Sequence, residues 1–77
     1  MDSNGKAEHI LLLAEIATEA VRERVMVADV AMRKSRDQLR AGNADEAIAE
    51  ALKAIAYVHS KASAVYRNVK FVSEQVN

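Results

Sequence analysis

Few side chains in this chain are of a type that performs chemistry, and their spacing narrows the field further. There are two histidines, His9 and His59, and no cysteine. Without cysteine there is no disulfide and no thiolate metal site. His9 follows Glu8, but the HExxH pattern that would place two imidazoles on one helix face is absent. No metal ligand set is expected. Gly5-Lys6 lacks the upstream Gly and the following Ser or Thr of a phosphate-binding loop. Ser3, Ser35, Ser60, Ser63 and Ser73 have no G-x-S-x-G setting, and they read as caps or helix-surface hydroxyls. The expectation is a protein that is not an enzyme, with no catalytic residue and no cofactor.

Two polar groups remain. Arg24 falls within an apolar stripe, where a guanidinium needs a partner or a path to water. It stands 18 residues before Gly42, and His59 stands 17 after it. A chain folded back at Gly42 would bring the two to one level, so a polar layer of Arg24 and His59 is expected, with Ser60 and Ser63 nearby. The second group is basic: Arg33, Lys34, Arg36 and Arg40. Asp29 and Asp37, at i,i+4 spacing from Arg33, partly neutralise it. It reads first as a helix end matched to its dipole, and alternatively as a phosphate contact for RNA.

These side chains must be positioned by helices. The 77 residues contain no Pro and only two Gly, Gly5 and Gly42. The apolar residues recur at the helical period on both sides of Gly42. Ile10, Ala14, Ala17, Val21, Val25, Ala28, Met32, Ser35 and Leu39 form the first stripe. Ile48, Ala51, Leu52, Ile55, Val58, Ala62, Val65, Tyr66, Val69, Val72 and Val76 form the second. The pattern predicts one all-α domain over 1–77. Helix one runs from about residue 6 to 40, the turn covers 41–43, and helix two runs from about 44 to 75. Gly42 suits the left-handed position after a helix. Asn43 suits an N-cap, with Glu46 three residues on as in a capping box.

Leu39-Arg40-Ala41-Gly42-Asn43-Ala44-Asp45-Glu46-Ala47-Ile48 resembles the interhelix turn of a tetratricopeptide repeat. That resemblance implies an Ala after the Gly-Asn turn that packs the second helix. The layout as a whole looks like small bacterial or phage helical-hairpin dimers. Examples are plasmid copy-control RNA-binding proteins, secretion co-chaperones and phage-encoded inhibitors.

Each helix would be roughly 50 Å long at 1.5 Å per residue. Two such helices have no enclosed interior, and each apolar face is wide enough for two neighbours. The expected remedy is a homodimer forming an antiparallel four-helix bundle, with Ile10, Val21, Val25, Ile55, Ala62 and Val69 in its core. Leu12, Ile16, Met26, Val30, Tyr57 and Phe71 lie at or beyond the stripe edges. Aromatic residues and Met are enriched at binding surfaces, so these six are the expected contacts for a partner protein. Net charge is zero, which argues against a generic polyanion binder. No apolar run approaches the roughly 20 residues of a membrane span, and no leader pattern stands at the start. The expectation is a cytoplasmic regulator, inhibitor or adaptor that binds protein, with RNA binding through the basic end of helix one as the alternative.

Overall fold

The computed structural model describes residues 2–75. It contains two helices, α1 (Asp2–Arg40) and α2 (Ala44–Gln75), packed against each other as an antiparallel hairpin. No strand occurs among the described residues. The Cα extents are 62 × 16 × 9 Å, a long layer two helices wide and one helix thick. Helix α1 begins four residues earlier than the periodicity suggests. Gly5 lies inside it rather than ending it. An isolated Gly costs a helix about 1 kcal/mol relative to Ala, too little to stop it.

The turn is built from backbone hydrogen bonds. The Asn43 N–H donates to the Gln38 carbonyl at 2.8 Å, and the Gly42 N–H donates to the Leu39 carbonyl at 3.0 Å. These are the two bonds of a Schellman ending, and Gly42 has φ of 89°, the left-handed conformation that ending demands. The Asn43 carbonyl then accepts from the Ala47 N–H at 3.0 Å, which makes Asn43 the first half-turn of α2. Its side chain turns backwards. Asn43 Nδ2 donates to Gln38 Oε1 at 2.7 Å, tying the turn to α1. No bond between Glu46 and Asn43 is found among the described residues, so the expected capping box is replaced by this link.

Small residues fill the seam between the helices. Among the described residues Ala47, at 7 % exposure, Ala54, at 5 %, and Ser35, at 7 %, are the buried ones. Ala47 is the alanine that the turn resemblance singles out. Small side chains let the two backbones approach closely, and the large apolar residues are left on either side of the seam. Leu11, Leu39, Ile48, Leu52, Ile55 and Tyr66 are all more than half exposed. Among the described residues no large side chain is fully buried.

Ser35 Oγ is buried and has no hydrogen-bond partner. An unsatisfied buried hydroxyl is costly, and removing it costs little packing. Ser35→Ala is expected to raise stability by about 1 kcal/mol in urea unfolding at fixed protein concentration. A loss of stability would show that the hydroxyl is satisfied in solution.

Candidate partner-binding surfaces

Two-helix layers have two broad faces, and here they differ. The front face carries two grooves. One, of about 520 Å³, is lined on α1 by Ala14, Ala17, Thr18, Val21, Arg22 and Val25, and on α2 by Ala62, Val65, Tyr66 and Val69. The other, of about 370 Å³, lies by the turn between Met32, Ser35, Arg36 and Leu39 on α1 and Ala44, Ala47, Ile48 and Ala51 on α2. Most lining residues of one groove have a counterpart 18 positions away in the other. Eighteen residues are five helical turns, so the two grooves share one face. Leu52 and Ile55, 61 % and 57 % exposed, rise between them.

The front-face residues follow a heptad rhythm. On α2, Ile48, Leu52, Ile55, His59, Ala62, Tyr66 and Val69 alternate by four and three. On α1, Leu11, Ala14, Thr18, Val21, Val25, Ala28, Met32, Ser35 and Leu39 alternate by three and four. This is the spacing of a helix-packing seam. The Thr18 hydroxyl donates to its own helix at the Ala14 carbonyl, 2.7 Å away, which satisfies its polar atom within α1.

The back face holds a shallower groove of about 210 Å³. Leu13, Ile16, Ala17 and Ala20 line it from α1, and Lys61, Val65, Asn68, Val69 and Val72 from α2. Ile16 is the one of the six expected contacts that lines this groove. Leu12 lies with Leu11 and His9 near the start of α1. Leu12, Ile16, Met26, Val30 and Phe71 are 49 % to 64 % exposed, and Tyr57 is 42 % exposed. All six are on the surface, but they are spread along the rod rather than gathered in one patch.

Tyr57 is already engaged. The Arg24 guanidinium lies 4.3 Å from the centre of its ring. Arg24 Nη1 also donates to the Tyr57 backbone carbonyl at 3.3 Å. The arginine therefore crosses the hairpin to Tyr57. His59 is exposed, and no hydrogen bond joins it to Arg24 among the described residues. Arg24 is engaged with Tyr57, its long stem spanning the gap between the helices. A cation over an exposed ring contributes about 0.5–1 kcal/mol. Arg24→Met should leave the hairpin helical and change its stability by less than about 1 kcal/mol, read by thermal unfolding. Collapse of the helical signal would show that Arg24 holds more than Tyr57.

Arg33, Lys34, Arg36 and Arg40 are exposed around one end of the hairpin. Arg40 is paired with Asp37 at 3.3 Å. Among the described residues no ion pair joins Arg33 to Asp29 or Asp37, so the neutralising contact comes from a different pair than the i,i+4 spacing suggests. Asp45, Glu46 and Glu50 open α2 just beyond the turn, which places acid close to this basic end. The remaining ion pairs, Arg22–Glu19 and Lys53–Glu50, are also exposed i,i+3 pairs within one helix. Each contributes a few tenths of a kcal/mol at about this spacing.

Among the described residues no group of three His, Asp or Glu side chains is placed to hold a metal ion. No helix among them is long and apolar enough to cross a membrane. Comparison with family models, with curated proteins and with solved structures gives no match. The class that the fold defines is an all-α helical hairpin.

Proposed function

We propose that this chain is a non-enzymatic protein–protein interaction module, a homodimeric helical bundle that acts as a regulator, inhibitor or adaptor. The observation that supports this reading is the large apolar surface left on both faces of a layer in which, among the described residues, only small ones are buried. The front face, with its continuous heptad seam, is assigned to self-association. The back face and edges, with Ile16 and Phe71, are assigned to the partner protein. Tyr57 is a poorer anchor because Arg24 already covers its ring.

A buried apolar or aromatic anchor often carries much of an interface's energy. Ile16→Ala and Phe71→Ala are each expected to weaken partner capture by roughly 1–3 kcal/mol, with helicity and native mass unchanged. Charge reversal at Arg36 and Arg40 should have little effect. The assay is affinity capture from lysate of the source cells, with and without nuclease, over a salt series. Phosphate binding weakens steeply with salt, and apolar docking does not. A partner lost on nuclease treatment, and lost by the arginine variants, would replace this reading with RNA binding through the basic end.

A further inference from the structure

Four of the six apolar residues at the stripe edges share one line. Leu12, Ile16, Met26 and Val30 all lie on α1, and all are exposed. Leu12 and Val30 stand 18 residues apart, which is five whole helical turns. They therefore lie on one meridian of the helix. At about 100° per residue, Ile16 falls about 40° to one side of that meridian and Met26 about 40° to the other. Glu19 and Glu23 fall about 20° on either side of it, midway along. Taken in order, Leu12, Ile16, Glu19, Glu23, Met26 and Val30 alternate by four and three. This is a second heptad track on α1, separate from the front-face seam. It lies away from α2, since Leu12, Met26 and Val30 line none of the three grooves between the helices.

We propose that this track receives an amphipathic helix of a partner protein, apolar towards both ends and basic between them. This rests on the protein-binding reading above and adds the edge used, the shape of the partner and its charge. From Leu12 to Val30 the track is about 27 Å long, which a partner helix of about five turns matches. Apolar anchors spaced at i and i+4 are the pattern by which a helix face is recognised. The charge lies between the two apolar pairs. Glu19 is paired with Arg22 on its own helix at 3.0 Å. Glu23 makes no ion pair among the described residues. One unmatched negative charge thus stands at the centre of an apolar line. An occupant without a cation there would bury that carboxylate unpaired, which is costly. Lys or Arg opposite Glu23 removes the cost with a charge-assisted hydrogen bond.

The same carboxylates disfavour a second copy of this chain. Antiparallel pairing of the track with itself, with both apolar pairs in contact, sets Glu19 of each copy against Glu23 of the other. Parallel pairing sets each glutamate against its own counterpart. Like charges juxtaposed across an interface suppress the wrong partner. Self-association through the front face leaves this edge of α1 uncovered, so one assembly accommodates both contacts.

The probe is a pair of synthetic, fluorescein-labelled helical peptides of about five turns. Both carry Leu at the four anchor positions. One carries Lys at the two positions between them, and the other carries Glu. Fluorescence anisotropy at low salt measures their binding to the full chain. The Lys peptide should bind at least about tenfold tighter than the Glu peptide. Glu19→Lys with Glu23→Lys should reverse that order, with helicity unchanged by circular dichroism. Glu23→Gln, which keeps the size of the side chain, should narrow the difference to about threefold or less. Leu12→Ala with Met26→Ala should weaken both peptides at least about tenfold. If the two peptides bind alike, or neither binds, the proposal is overturned. The protein-binding reading would still stand if Ile16→Ala and Phe71→Ala lost a nuclease-resistant partner from lysate. A native mass above the dimer that Leu12→Ala with Met26→Ala returns to the dimer would give the track to further copies of this chain and refute the proposal.

Discussion

Leu52→Glu and Ile55→Glu, introduced together, are expected to make the protein monomeric at micromolar concentration. Each copy would lose two large apolar side chains from the proposed seam, four in the dimer. Burial of one such side chain contributes about 1.5–3 kcal/mol, so at least about 6 kcal/mol of association energy is removed. That corresponds to about four orders of magnitude in the dissociation constant. Carboxylates placed in an apolar seam add a further penalty. The helical signal should fall as well, because among the described residues of this thin hairpin only small ones are buried. Most helix stability in proteins comes from packing of the apolar face rather than from propensity. Ala49→Glu with Ala56→Glu is the matched control, since both alanines are exposed and lie off the heptad seam. Native mass by light scattering separates the two pairs. Dimers of unchanged affinity from the Leu52 and Ile55 variant would remove the front face from consideration.

The second large effect concerns the seam within one hairpin. Ala54→Leu, at a site 5 % exposed, is expected to destabilise the protein by about 2 kcal/mol. Ala54 lines none of the three grooves between the helices, so the added carbons have no void to enter. They must push the helices apart along the rod. A shift of urea midpoint at fixed protein concentration, with unchanged slope, measures the effect. Leu ranks next below Ala in helix propensity, so local preference accounts for only about a few tenths of a kcal/mol of the loss. If Ala54→Leu were neutral or stabilising, the interhelix packing would be looser than the burial of Ala54 implies.

The fold was legible because its punctuation is local. One central Gly, an Asn after it and an unbroken helical period on both sides leave little room for another topology. The bounds of α2 follow from the same residues, and α1 starts earlier because a lone Gly near its start is a weak stop. The seam was less legible. Both apolar stripes are wide, and periodicity alone does not say which strip of a wide stripe meets the other helix. Ser35 of the first stripe does so with Ala47 and Ala54, which lie outside the second stripe, while Ile48, Leu52, Ile55 and Tyr66 of that stripe are left exposed. Spacing from Gly42 placed His59 beside Arg24, but a level along the rod says nothing about rotation around it. A long flexible side chain then decides the partner, and Arg24 reaches Tyr57. The exposure of Leu12, Ile16, Met26, Val30 and Phe71 agrees with their places at the stripe edges, because edge residues of a two-helix layer have nothing to cover them.

Self-association is the claim on which the rest of this account depends, and native mass tests it most directly. Sedimentation equilibrium of the wild-type chain from high nanomolar to high micromolar concentration should fit a monomer–dimer equilibrium. The dimer, at twice the 8.4 kDa chain mass, should dominate in the micromolar range. A single 8.4 kDa species, fully helical across the whole range, would contradict the account.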